Sequence, residues 1–217
     1  VQNWSGEFRG TGLLPVPGYR QRLHAARDNL LDDNKLARFY GMLQASQRPL
    51  IYAGGGVING NAARELRRFA DRFGIPVTTT LMGIGAVDTK APLSLHMLGM
   101  HGLASANYAV EDCDFLIAVG ARFDDRVAGV PGRFAPKTRH IAQFDIDPSE
   151  IGKVKPVDWS HVGVLKQDLQ AVYDYGVRRG VEPNFSTWHG EIAELKKTYA
   201  LNYDRDSQLI QPYAVIE

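Results

Sequence analysis

The stretch PLIYAGGG at residues 49–56 decides the fold class of this chain. Its first five residues are almost all apolar, which predicts a strand buried on both faces, as in a parallel sheet. The three glycines that follow predict a tight turn into a helix, because glycine adopts backbone conformations that other residues avoid. A strand, a glycine turn and a helix together predict the opening unit of a doubly wound α/β domain.

The same alternation of apolar runs and helical patterns continues to about residue 200. Further strands are predicted at 76–80, 115–119, 140–144 and 162–165. Helices are predicted at 33–46, 61–73, 103–110, 166–179 and 187–200, with Asp32 and Asp33 as caps for the first. We therefore expect an α/β fold with a mostly parallel, Rossmann-like sheet flanked by helices.

The two ends of the chain have a different composition from its middle. Residues 1–31 contain many Gly and Pro and little hydrophobic periodicity, which predicts an interdomain linker. Residues 32–201 are predicted to form the central domain, and 202–217 a second linker and the start of another domain. Because the chain starts at Val1 without Met, we expect it to be part of a longer polypeptide.

Composition narrows the class of protein. Hydrophobic residues make up 44% of the 217, enough for a sizeable core. A formal charge of +1 is too balanced for a nucleic-acid partner. No apolar run approaches the ~18 residues of a membrane span, and no signal-peptide pattern is present. The single cysteine, Cys113, excludes an intrachain disulfide and multi-cysteine metal sites, so a cytoplasmic location is the default expectation.

The glycine turn is a candidate phosphate site, since backbone N–H groups at a helix start can meet an anion there. The NAD fingerprint is nevertheless incomplete, because Asn59 stands where its third glycine is required. The second predicted strand also ends in Thr79-Thr80-Leu81, without the acid that would bind a ribose. The alternative is that the glycines only form a tight turn.

Two acidic clusters follow later strands, at the edge where ligands bind in open α/β sheets. In the segment GARFDDR, residues 120–126, Arg122 can pair with a phosphate, and Asp124 and Asp125 can hydrogen-bond a ribose or fix neighbouring arginines. The alternative is a neutralised surface ion network. In DIDP, residues 145–148, Asp145 is the best ribose acceptor, with helix capping as its alternative role. Asp147 suits capping equally well, because Pro148 can occupy the first helical position.

The sequence contains no motif that indicates another catalytic chemistry. His96 and His101 are five residues apart and do not share a helix face, which disfavours zinc. Cys113 lies between two aspartates, which raise a thiol pKa, so we expect it to be inert. There is no nucleophile elbow, P-loop or CxxC motif.

Six strings in order resemble the central domain of the acetolactate synthase (acetohydroxyacid synthase) catalytic subunits. They are RPLIYAGGGV (48–57), GIPVTTTLMGIGA (74–86), LSLHMLGMHG (93–102), NYAV (107–110), GARFDDRV (120–127) and FDIDPSEIGK (144–153). The resemblance implies a six-stranded parallel domain that binds FAD without net redox chemistry, inside a transferase of branched-chain amino acid biosynthesis. Thiamine diphosphate and Mg²⁺ would bind to the outer domains, so no catalytic or metal-binding residue is assigned to this chain.

The resemblance also implies site residues and partners. Contacts with FAD are expected from Gly55, Gly56, Thr80, Leu81, Leu98, Gly99, Met100, His101, Gly120, Ala121, Arg122, Phe123, Asp124, Asp145 and Ile146. Met100, Asp125 and Arg126 correspond to positions that line the substrate channel, where sulfonylurea-type inhibitors bind. The expected partners are the flanking domains, further copies in a homodimer or homotetramer, and a small regulatory subunit.

Two other identities compete with this one. Glyoxylate carboligase shares the domain and a non-redox flavin, but the string LHMLGMHG favours acetolactate synthase. A nucleotide-binding or assembly module without chemistry is the alternative from a different class. The sequence departs from the family pattern at Gly163-Val164-Leu165-Lys166, where an Asp-Val pair near the adenine is usual.

Overall fold

The structure is a computed structural model that describes residues 18–201, 204 and 206–212, without the side chains of Tyr19, Asp125 and Arg126. The strands are β1 (Pro49–Ala53), β2 (Val77–Thr79), β3 (Ser94–Met97), β4 (Phe115–Val119), β5 (His140–Asp145) and β6 (Trp159–Val162). The helices are α1 (Tyr19–Asp28), α2 (Asp33–Ala45), α3 (Gly55–Asn59), α4 (Ala63–Phe73), α5 (Ala104–Asp112), α6 (Asp125–Ala128), α7 (Leu165–Arg178) and α8 (Ser186–Thr198).

The six strands form one sheet in the order β3-β2-β1-β4-β5-β6, and every pairing is parallel. The predicted α/β fold is therefore confirmed. Ala53 and Val119 are register partners at the ends of β1 and β4, so these two central strands end level with each other. From β1 the chain continues to β2 on one side, whereas from β4 it continues to β5 on the other. Loops leave the sheet in opposite directions at this point and open a crevice between them.

Apolar side chains of the sheet and helices form one core. All residues of β1 and β4 are buried, as their unbroken apolar runs predict. Phe39 of α2 is fully buried, with its ring centroid 5.7 Å from Phe115, 5.8 Å from Phe144 and 5.3 Å from Trp159. Asp32 caps α2 as predicted, its side chain accepting a hydrogen bond from the Lys35 N–H.

The Trp188 side chain attaches α8 to the sheet. Its indole N–H donates to the Pro49 carbonyl at 2.9 Å inside the protein. Because the indole is buried against the start of β1, α8 belongs to the same core as the sheet. None of the described helices is long and apolar enough to cross a membrane.

Several elements differ from the sequence predictions, among them two strands and the first helix. The edge strand Ser94–Met97 was missed as a separate apolar run, because its second half carries His96 and is only half-buried. The last strand lies at Trp159–Val162, not 162–165, because burial alternates along this edge strand and polar residues interrupt its apolar pattern. The predicted linker 1–31 contains helix α1, whose described side chains are mostly exposed, so it has no apolar period to detect.

Candidate nucleotide-binding cleft

A cleft of about 710 Å³ lies at the crevice between the loops that follow β1 and β4. The loops after β2 and β5 and the start of α7 complete its walls. Ten of the predicted contact residues line it: Gly55, Gly56, Thr80, Leu81, Gly120, Ala121, Arg122, Asp124, Asp145 and Ile146. Four strand ends therefore bring together residues that are up to 91 positions apart in the sequence, from 55 to 146.

The glycines bring the β1 and β4 loops into backbone contact. The Gly56 N–H donates to the Gly120 carbonyl at 3.0 Å. A Cβ on Gly56 would lie 2.7 Å from the Gly120 Cα, and a Cβ on Gly54 would lie 2.2 Å from the Gly120 carbonyl oxygen. Gly120 itself has a φ of +55°. Packing against the β4 loop therefore leaves no room for a side chain at Gly54 or Gly56, as the turn alternative expects, and both glycines also line the cleft.

Gly55 differs from its two neighbours in what lies opposite it. Its nearest neighbour is the Met82 side chain, 2.9 Å from a Cβ built on Gly55. Met82 is 71% exposed and follows Leu81 in the turn after β2. An apolar side chain on the far wall thus faces the glycine turn across a narrow gap. No motif in the sequence singles out Met82, because its exposure depends on the folded turn after β2.

Buried aromatic side chains hold the loop after β4 in place. The Tyr52 hydroxyl donates to the Arg122 carbonyl at 3.2 Å, and burial raises the pKa of Tyr52. The Phe123 ring is buried, with centroids 5.8 Å from Tyr52 and 6.0 Å from Phe134, so it anchors the loop rather than lining the cleft. This packing leaves the Arg122 side chain exposed at the cleft.

The charged part of the same loop is described only incompletely. Arg122 forms no ion pair with any residue whose side chain the structure describes. Asp124 is half-buried and lines the cleft. The side chains of Asp125 and Arg126, predicted to line the substrate channel, lie outside the described residues. The ion-network alternative for this loop therefore stays open.

Asp145 and Asp147 have separate roles at the end of β5. Asp147 caps the short helical turn that starts with Pro148, because its carboxylate accepts from the Ser149 N–H at 2.9 Å and the Ser149 hydroxyl at 2.8 Å. Asp145 is only 8% exposed and accepts from the Asp147 N–H at 3.0 Å. Burial raises the pKa of its carboxyl above the ordinary value. The capping role thus belongs to Asp147, and Asp145 remains the candidate ribose acceptor.

The carboxylates are concentrated at the β5 side of the cleft. Besides Asp145 and Asp147, this side carries Glu150, whose Oε1 lies 2.9 Å from the Lys153 ammonium. Arg122 lines the cleft from the neighbouring loop after β4, close to the glycine turn, together with Asp124. A ligand with hydroxyl donors at one end and a phosphate at the other matches this division of charge.

The loop 98–101 is not part of the same cleft. Gly99 and Met100 line a second cavity of about 410 Å³, His101 lines a third of about 780 Å³, and Leu98 is buried. The second cavity adjoins the cleft, because Val127 lines both. An extended ligand could therefore reach from the cleft to Gly99 and Met100, whereas His101 lines the third cavity.

Several cleft residues carried no functional prediction: Asn59, Gly60, Met82, Val127, Glu150, Val164 and Leu165. Val164 and Leu165 stand where the family pattern has Asp-Val, and they form an apolar wall at the start of α7. The family pattern already points to this stretch, and the structure places it in the wall of the cleft.

Comparison with known proteins agrees with this architecture. The family model described as the thiamine pyrophosphate enzyme central domain matches residues 36–172. The chain is 45% identical to the acetolactate synthase large subunit of Parasynechococcus marenigrum (strain WH8102) over 184 residues, which is 85% of this chain and 30% of that protein. It is 40% identical to acetolactate synthase 1, chloroplastic, of Zea mays over 206 residues, 94% of this chain and 31% of that protein.

A third relative is acetolactate synthase, chloroplastic, of Arabidopsis thaliana, which is 38% identical over 218 residues, 99% of this chain and 31% of that protein. The chain spans about a third of the length of these relatives. The match of the family model to most of the chain, on a parallel sheet with its cleft at the switch point, shows that the chain belongs to the thiamine pyrophosphate enzyme central-domain family.

Proposed function

We propose that this chain is the FAD-binding central domain of an acetolactate synthase. That enzyme is a thiamine-diphosphate-dependent transferase that condenses pyruvate with a second 2-ketoacid in branched-chain amino acid biosynthesis. The observation that carries the FAD site is the cleft itself, in which the glycine turn after β1, Arg122 after β4 and the buried Asp145 at the end of β5 line one cavity at a parallel-sheet switch point. The names of the relatives support the carboligase reaction.

The division of charge in the cleft suggests how FAD would lie. Arg122 would pair with the diphosphate beside the glycine turn. Asp145 would accept hydrogen bonds from ribose hydroxyls, and Ile146, with Val164 and Leu165, would contact the adenine. The ring system would extend past Val127 toward Met100. In this position the flavin contributes no net redox step.

The chain's own residues bind and orient in this proposal, and they do not perform the carboligation. Thiamine diphosphate supplies the reactive carbanion when it is bound, and the resemblance assigns it and Mg²⁺ to the outer domains. Residues 32–201 would form the central domain, with linkers at 1–31 and 202–217. Flanking domains, a homodimer or homotetramer and a regulatory subunit are its proposed partners. The cytoplasmic location stays a prediction, and the plant relatives are named chloroplastic.

The test uses the full-length enzyme next to the 217-residue chain. Purified full-length enzyme is expected to show flavin absorbance and to form acetolactate from pyruvate with thiamine diphosphate and Mg²⁺. The chain alone should give a cooperative thermal melt but no product, because positioning by the missing domains contributes on the order of 7–11 kcal/mol to the reaction. Product from glyoxylate instead of pyruvate would identify a glyoxylate carboligase. A colourless full-length protein without either activity would favour a non-catalytic module.

A further inference from the structure

The loop between β3 and α5 separates two cavities. Gly99 and Met100 face the cavity that adjoins the cleft, whereas His101 and Gly102 face the third cavity, beside α8. Met100 is 80% exposed, so packing against the core does not hold its side chain in place. The backbone conformation of the loop therefore decides which cavity receives Met100.

One side chain fixes that conformation at Gly99. The Gly99 N–H donates to the Asn107 Oδ1 at 2.8 Å, and the Asn107 Nδ2 donates back to the Gly99 carbonyl at 3.0 Å. The Gly99 carbonyl also accepts from the Gly102 N–H at 3.0 Å, which closes the turn. Gly99 has a φ of +97°, a region that favours glycine. The carboxamide of Asn107 therefore satisfies both polar groups of the residue at which the loop reverses.

The remaining hydrogen bonds of the loop lie at its two ends. Leu98 N donates to Thr79 O at 3.2 Å, and Leu103 N donates to Met97 O at 2.9 Å. Between these ends, Asn107 is the only side chain of the described residues that hydrogen-bonds to the turn. Because Asn107 lies in the first turn of α5, it transmits the position of that helix to the loop.

We propose that Asn107 is a positioning residue that holds Met100 toward the ligand cleft. The inference rests on the proposed FAD site, and it assigns to Asn107 the placement of the loop at the ring end of the flavin. Only an amide fits both bonds without a change of protonation, because it presents one acceptor and one donor side by side. Asn107→Ala removes both bonds, whereas Asn107→Asp retains the shape.

The Asn107→Asp variant gives a readout that a merely structural role would not produce. A protonated carboxyl can accept from Gly99 N–H and donate to its carbonyl, whereas an ionised one repels that carbonyl. The titratable or charged side chains that line the second cavity together with Asn107 are Glu111 and Arg133. The single variant Asn107→Asp is compared with the double variant Asn107→Asp/Glu111→Gln. The comparison identifies whether the carboxyl at position 107 or that of Glu111 causes the pH dependence.

In the full-length enzyme we expect Asn107→Ala to weaken FAD binding roughly tenfold, equivalent to one net hydrogen bond, and to change the visible circular dichroism of the flavin. Asn107→Asp should resemble wild type only below about pH 4, where an ordinary aspartic acid is protonated, and should resemble Asn107→Ala at pH 8. The control is Asn184→Ala. It removes an exposed hydrogen bond, far from the cleft, that the Ser186 N–H donates to the Asn184 Oδ1. Wild-type affinity and spectrum in both Asn107 variants would overturn the proposal.

A second measurement separates this inference from the proposed function. In the 217-residue chain, amide hydrogen exchange at Gly99 should rise at least about tenfold in Asn107→Ala and stay unchanged in Asn184→Ala. If the wild-type enzyme binds no flavin, the proposed function fails and the placement of Met100 by Asn107 is decided by this exchange alone. Unaltered exchange at Gly99 would overturn the positioning role.

Discussion

The contact between Gly56 and Gly120 predicts the outcome of three glycine substitutions. A Cβ on Gly120 would lie 2.7 Å from Gly56 Cα and 2.8 Å from Leu165 Cδ1, and Gly120 also has a positive φ. Gly129 has a similar φ of +52° but nothing within 4 Å of a Cβ. Gly129→Ala thus measures backbone strain alone, about 1–2 kcal/mol. Gly56→Ala measures overpacking alone, about 1–3 kcal/mol. Gly120→Ala should cost about their sum, roughly 2–5 kcal/mol.

Urea and thermal denaturation of the 217-residue chain measure these free energies of unfolding. For a chain of this length, 1 kcal/mol lowers Tm by roughly 2–4 °C, so Gly120→Ala should melt roughly 4–20 °C below wild type. The full-length enzyme with Gly120→Ala should also lose flavin affinity, because the β4 loop must move away from the glycine turn. Equal losses in Gly120→Ala and Gly129→Ala would refute the reasoning, since the close approach would then have no cost.

Three further predictions concern carboxylates and the cysteine. Asp145→Asn should weaken FAD binding by roughly 10- to 150-fold, because charge-assisted hydrogen bonds contribute about 1.5–3 kcal/mol. The same variant should be more stable than wild type at neutral pH. Burial raises the Asp145 pKa, so the wild-type free energy of unfolding falls as pH rises through the raised pKa. The melting temperatures of variant and wild type should therefore become equal below pH 3.8. Asp114→Asn should show the opposite slope. Burial raises the Asp114 pKa, but its hydrogen bonds from Ser46 and from backbone N–H groups outweigh burial and hold the pKa below the ordinary value. Wild type should therefore be the more stable form at pH 7, with a difference that shrinks as pH falls below 3.8, and parallel pH profiles would contradict this. Burial raises the pKa of Cys113 to about 12, so a maleimide should label it roughly a thousandfold more slowly at pH 8 than a free cysteine, and rapid labelling of the folded chain would contradict its burial.

The central strands and the cleft residues next to them could be predicted from local patterns. The β1 and β4 bounds agree with their unbroken apolar runs, because strands covered on both faces carry that pattern along their whole length. Arg122 and Asp145 were found because each follows such a strand directly, which places both at the ligand edge of a parallel sheet. The edge strands β3 and β6 were missed or displaced, since one exposed face allows polar residues to interrupt the apolar run.

Other features depend on contacts between distant parts of the chain. Local sequence could not distinguish Gly55 from Gly56, because their difference lies in what each faces: Met82 for one and Gly120 for the other. The sequence likewise offered Asp145 and Asp147 as equal caps, and the path of the backbone after β5 assigned capping to Asp147.

By itself, the sequence determined the class of fold, the order of its central elements and the resemblance to the thiamine-enzyme middle domain, because apolar periodicity and short motifs are local properties. Only the tertiary structure decided which residues meet. It placed Val164 and Leu165 in the wall of the cleft and His101 in the lining of the third cavity. It also brought Asn107 to Gly99, eight positions away along the chain. Such contacts depend on the direction in which each loop leaves the sheet, which no single stretch of the sequence specifies.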